Sequence, residues 1–192
     1  MSFKVKKRNK TNKAPLVPNG SYMGRVVQVI GLGVQAQSDW QTKETLPSKE
    51  RVIITVEFPT LRMKVNGEDK PRWFSKQYTV SDHEASTMAK TILPLLDEED
   101  DGDLFKLIGK TVLCGIGLTS GGNNKIAYIA APMDGVDVGP LENETNAFNF
   151  YEPDFDEFLK LRKWQQKVIL EAEDYPGSDL EALCDVGEFQ ID

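Results

Sequence analysis

The sequence predicts a mainly β fold, and three observations carry that reading. Apolar and β-branched residues fall in short runs, of which Arg51 to Phe58 (Arg-Val-Ile-Ile-Thr-Val-Glu-Phe) is the clearest. Turn signals separate the runs, notably Asn66-Gly67 and Gly121-Gly122-Asn123-Asn124. Only two stretches carry an apolar stripe at helical spacing.

Taken in order, residues 1–19 read as a basic flexible arm, with Lys4, Lys6, Lys7, Arg8, Lys10 and Lys13 ahead of Pro15 and Pro18. Gly20 to Gln35 reads as a long first strand that Gly24, Gly31 and Gly33 allow to bend. Residues 36–49 are polar and read as a loop. The second strand follows at Arg51–Phe58, stopped by Pro59, and Lys70–Val80 makes the third. Ser81 or Asp82 can cap a helix reaching about Leu96, striped by Ala85, Met88, Ala89, Ile92 and Leu96. Gly109–Thr119 and Lys125–Ala131 give strands four and five, and residues 132–150 look irregular. A second amphipathic helix is expected over Asp154–Asp174, with Phe155, Phe158, Leu161, Trp164 and Val168 on one side. Glu171–Asp192 has eight acidic residues and no basic one, a composition that predicts a disordered tail from 176. The expected divisions are thus 1–19, 20–150, 151–175 and 176–192.

At 192 residues the chain fits one domain with tails. Its 40% hydrophobic and 28% charged content excludes a wholly disordered polymer. No apolar run approaches the roughly 18 residues of a membrane helix, so no membrane partner is expected. The basic start lacks the apolar core of a secretory signal, and Cys114 and Cys184 have no CxxC spacing. A reduced, cytosolic protein is expected. The net charge of −7 hides an asymmetry: residues 1–80 hold 15 Lys and Arg against 6 Asp and Glu, while residues 81–192 hold 8 against 24. A basic half of +9 and an acidic half of −16 point to a polyanion partner for the first.

Catalytic constellations are thin. Gly31-Leu32-Gly33-Val34-Gln35-Ala36 matches a dinucleotide fingerprint, with Glu57 about 20 residues on. The polar, Pro47-interrupted stretch behind it does not supply the helix that would hold a pyrophosphate. Asp97–Asp103 imitates a calcium loop, but Ile108 stands where the closing glutamate belongs. His83 is the only histidine and accompanies no nucleophile motif. No enzyme activity, cofactor or metal is expected.

The third strand says more. Lys70-Pro71-Arg72-Trp73-Phe74-Ser75-Lys76-Gln77-Tyr78 interleaves cations with aromatics. In a strand Arg72, Phe74, Lys76 and Tyr78 share one face, while Trp73, Ser75 and Gln77 share the other. Charge beside rings suits single-stranded nucleic acid, whose unpaired bases expose their π-faces; equally, Phe74 and Tyr78 could fill the core, and the sequence does not say which face points inward. Arg62 and Lys64 lie across the turn, Arg51 opens the second strand, and Lys125 opens the fifth. Trp40, in the loop after the first strand, is a further stacking candidate.

Three strands, a helix and two strands is the connectivity of a five-stranded OB-fold-like barrel, here followed by a C-terminal helix and an acidic tail. The Gly20-Ser21-Tyr22 opening, the Lys70–Tyr78 strand, the helix ahead of Leu107-Ile108-Gly109-Lys110 and the acidic end with Phe189 together resemble phage-type single-stranded DNA-binding proteins of the OB-fold class. The resemblance spans about residues 18–192. It implies a protein that coats single-stranded DNA with little sequence preference during replication, recombination and repair, in the cytoplasm of a bacterial host. It also implies that Glu188, Phe189 and Asp192 form an end that docks replication or recombination proteins, and that the acidic tail covers the basic face when DNA is absent. The tail here is less densely acidic than in many such proteins, and Phe189 is not its last residue. Oligomeric state stays open, as do two other classes: a nucleotide-binding enzyme using Gly31–Ala36, and a protein–protein adaptor.

Overall fold

A computed structural model describes residues 15–39, 41–187 and 189. Its centre is β1 (Gly20–Ser38), which pairs antiparallel with β2 (Thr45–Val65) on one edge and with β4 (Thr111–Leu118) on the other. β3 (Glu68–Thr79) adds to β2, β5 (Asn124–Ala130) adds to β4, and β6 (Asn146–Phe148) runs parallel to β1 at Gln28–Ile30. The order is β3-β2-β1-β4-β5, so β3 and β5 are the free edges of an open, mostly antiparallel sheet. A side chain bridges those edges: the Lys76 ammonium donates to the Ala127 carbonyl at 2.8 Å. No helix among the described residues is long and apolar enough to cross a membrane.

Both faces of the sheet are covered, and the period of two divides β1 and β2 between two cores. Val29, Ile54, Val56 and Phe58 enter the first, with Cys114, Ile116, Ile126, Met88, Ile92 and Leu107. Ile30, Leu32 and Ile53 enter the second, with Phe148, Phe150, Phe158, Ile169 and Leu180. This explains why Val52–Phe58 is an unbroken buried run.

Several expectations need correction. There are six strands, not five, and the loop expected over 36–49 shrinks because β1 reaches Ser38 and β2 begins at Thr45. Pro59 does not end β2; a bulge between Phe58 and Arg62 takes the proline out of the ladder and pairing resumes to Val65. Asn66-Gly67 does form the hairpin turn, both residues at positive φ (53° and 89°) as a tight primed turn requires. The expected helix from Ser81 or Asp82 to Leu96 condenses to a wide turn at Met88–Ile92 and a tighter one at Leu93–Leu95. Upstream, side chains compete for the backbone groups a helix needs: the His83 amide donates to Ser81 Oγ, and the Ala85 amide to His83 Nδ1.

The helix expected over Asp154–Asp174 is two, α1 (Phe155–Lys160) and α2 (Lys163–Leu170). The chain is extended at Leu161, whose side chain drops into the second core, and Gln166 Nε2 satisfies the Phe158 carbonyl across the break. The acidic end is not a disordered tail through 176–187. It forms α3 (Asp179–Val186), capped by Ser178, whose hydroxyl accepts from the Glu181 amide. Leu180 and Cys184, one helical turn apart, bury against the second core while the carboxylates face outward. A segment committed to the core is not free to swing over a basic face.

Leu180 is fully buried. Leu180→Ala should therefore cost about 2–5 kcal/mol, read as a lower urea midpoint; an unchanged midpoint would show that α3 contributes no core.

Candidate nucleic-acid interface

The alternation in β3 holds, but its charged and aromatic face turns inward. Tyr78 is only 4% exposed and belongs to the first core. Burial drives its phenol well above the usual range, and its hydroxyl has no hydrogen-bond partner among the described residues. Phe74 packs on Phe58 with ring centroids 5.8 Å apart. Arg72 is 8% exposed, its guanidinium donating to the Pro15 carbonyl. The face offered to bases is thus mostly lining of the protein. The reason is energetic: β3 is an edge strand that must cover one side of the first core, and Phe74 and Tyr78 are its largest apolar surfaces. On the opposite face Trp73 lies under the Arg162 guanidinium, 4.5 Å from the ring centroid. Burial lowers the pKa of Arg162.

Other candidates are engaged elsewhere. Arg62 is held by Glu142 and by Asp69 at 2.9 Å, hydrogen bonds that raise its pKa, the Glu142 bond most. Lys70 pairs with Glu68 at 2.7 Å, and Lys64 stands opposite Asp69 in the hairpin register. Arg62 and Lys70 are therefore matched by carboxylates. Trp40, Glu188 and Asp192 lie outside the described residues. Phe189 packs edge-on to Phe158 at 5.3 Å, so the ring offered to a partner is spent on the second core.

The dinucleotide reading loses its geometry. Residues 31–36 lie inside β1 and are followed by a tight turn and β2, not by a helix. Gly33 sits at φ 70°, where a Cβ would stand 2.6 Å from Asp174 Oδ1. Glu57, fully buried, accepts from the Glu142 and Asn143 amides at 2.9 Å each and from the Asn143 side chain. It braces the 142–143 loop against β2. Within the acidic run, Asp97 and Asp100 grip Lys110 at 2.6 and 2.8 Å.

Two predicted residues do converge. Arg51 and Lys76 line a cleft of about 460 Å³ at the start of β2 and the end of β3, and Lys49 joins them. Thr79, Ser81, Ser86 and Thr87 line it as well, and no carboxylate does. Arg51 is oriented by a 2.9 Å bond to Gln37 Oε1. Lys76 is half-buried; its pKa is lowered first by burial and then by Lys125. Three cations with four hydroxyl side chains make a site for an anion such as phosphate. Lys49 was missed because it sits in a stretch read as loop; the alternation Lys49, Arg51 in an extended β2 was the available signal. A second, mainly apolar cleft of about 360 Å³ is lined by Pro15, Leu16, Arg72, Phe74 and Asn124.

No family model matches the chain, and comparison with curated proteins and with solved structures returns no match.

If Tyr78 is a core residue with an unpaired hydroxyl, Tyr78→Phe should leave stability unchanged or raise it by up to about 1 kcal/mol. Tyr78→Ala should lower it by about 3–5 kcal/mol. Urea titration separates these outcomes, and a destabilised Tyr78→Phe would expose a hidden partner for the hydroxyl.

Proposed function

We propose that this chain is a single-stranded DNA-binding protein built on an OB-like barrel. The observation that carries the reading is the cleft at Lys49, Arg51 and Lys76, which gathers cations and hydroxyls and admits no carboxylate. Support for the barrel comes from the order β3-β2-β1-β4-β5, with helical turns between β3 and β4 and the free edges bridged through Lys76. The charge asymmetry of the chain supports the same reading, since the three cations of the cleft all come from the basic half.

Phosphates enter the cleft and displace counterions, so affinity falls steeply with salt. Duplex DNA is disfavoured because a concave cleft takes a flexible strand more readily than a rigid rod. The function is binding without catalysis: coating and protecting single strands during phage replication and recombination in the host cytoplasm. The outward-facing carboxylates of α3 are the surface on which replication or recombination proteins dock.

Fluorescence anisotropy with labelled oligo-dT, repeated across salt concentrations and with duplex competitor, tests this. Lys49→Ala with Arg51→Ala should weaken binding about tenfold or more and lower the salt slope by about 0.7 for each phosphate the variant leaves unneutralised. Arg62→Ala, whose charge is already matched, should change affinity less than about twofold. Absence of oligo-dT binding at low salt by the intact protein would sink the proposal.

A further inference from the structure

Beside the basic cleft lies a smaller slot of about 120 Å³, where β1 and β2 meet the segment after β6. Its rings are Phe105, Phe150 and Tyr151, and its polar groups are Glu50, Arg51 and Asn149. We propose that this slot receives one base of the bound strand and prefers cytosine. The proposal rests on the single-stranded DNA reading above and deepens it.

Size comes first. The slot is smaller than the cavity of about 150 Å³ that encloses a benzene ring, so a six-membered ring enters it only in part, through its open side, and a purine overfills it further. The wall stands close because β1 carries glycine: a Cβ on Gly31 would lie 3.3 Å from the Phe150 amide nitrogen.

The stacking platform is fixed before any ligand arrives. Tyr151 is 51% exposed, yet its hydroxyl donates to Asp174 Oδ2 at 3.1 Å and its amide donates to Asn149 Oδ1 at 3.0 Å. Its ring meets Phe150 edge-on, 5.2 Å apart at 86°. Asp174 is itself held by the Val34 amide at 2.8 Å. An exposed ring held this way loses little entropy when a base stacks on it.

Choice among pyrimidines falls to Glu50. A carboxylate accepts from the cytosine N4 amine, whereas thymine presents a carbonyl oxygen at that position and is repelled. Glu50 is half-buried, and burial with the Asp174 charge raises its pKa, consistent with a carboxyl facing a desolvated slot. Arg51 lines both cavities, so one nucleotide can place its phosphate in the cleft and its base in the slot.

The test compares labelled oligo-dC and oligo-dT of equal length by anisotropy. The intact protein should bind oligo-dC about fivefold more tightly or better. Glu50→Leu should bring the two affinities together, with circular dichroism verifying the fold. If that variant does not fold, Glu50→Gln, whose amide can donate to thymine O4, should likewise shrink the ratio. Tyr151→Ala should weaken both oligonucleotides, and Tyr151→Phe, which keeps the ring but loses the bond to Asp174, should weaken them less. Equal affinities in the intact protein, or a ratio preserved in a folded Glu50 variant, would overturn the slot while leaving the DNA reading intact. Failure to bind either oligonucleotide would overturn the function and the slot with it.

Discussion

Burial of β1 on both faces is the constraint on which the rest of the structure turns. Its nineteen residues pair with β2, β4 and β6, and its side chains alternate between two cores. A strand in that position must curl to serve both, and it does so at three bulges, between Val26 and Gln28, Gly31 and Val34, and Gln35 and Gln37. The middle bulge brings Gly33 against Asp174, tying the C-terminal helices to the strand through the Val34 amide. Those helices are therefore part of the fold, covering a face of the sheet that would otherwise be exposed apolar surface.

That covering redistributes charge. The carboxylates of α3 face outward over the second core, whereas Lys49, Arg51 and Lys76 gather beside the first. The hairpin of β2 and β3 is basic by composition but neutralised by geometry, since Asp69, Glu68 and Glu142 answer Arg62 and Lys70. Exposed pairs of this kind are worth little in stability, but they remove net charge from the hairpin. The cleft is where positive charge is left unanswered by carboxylates along its lining.

Strand positions were legible in the sequence because β-branched runs and the Asn66-Gly67 turn are local signals. The alternation within β3 followed from the same periodicity, whereas β6, three residues in a stretch that reads as irregular, carried no such signal. The direction in which that alternation points was not legible, because it depends on which face meets Met88, Ile92 and Leu107 far along the chain. The residues from 176 were misread for a related reason. Counting their carboxylates conceals that Leu180 and Cys184, with Tyr175 and Phe189 beside them, pack on a core already made by α1 and β1. Of the candidate site, Arg51 and Lys76 were found by charge, and Lys49 was missed because the first residues of β2 were read as loop.

The two cavities at the start of β2 follow from one local fact, that Lys49, Glu50 and Arg51 are consecutive residues of that strand. Alternation sends their side chains to different surroundings. Lys49 reaches the cation-lined cleft, Glu50 lies in the ring-lined slot, and Arg51 borders both. Because neighbours on a strand point to opposite faces they do not pair with one another, and Arg51 is held instead by the neutral Gln37 amide. Glu50 is half-buried, and burial and then the Asp174 charge raise its pKa, whereas Lys49 stays exposed to solvent, so the strand sets one carboxyl in a ring-lined slot and leaves the neighbouring ammonium open to water.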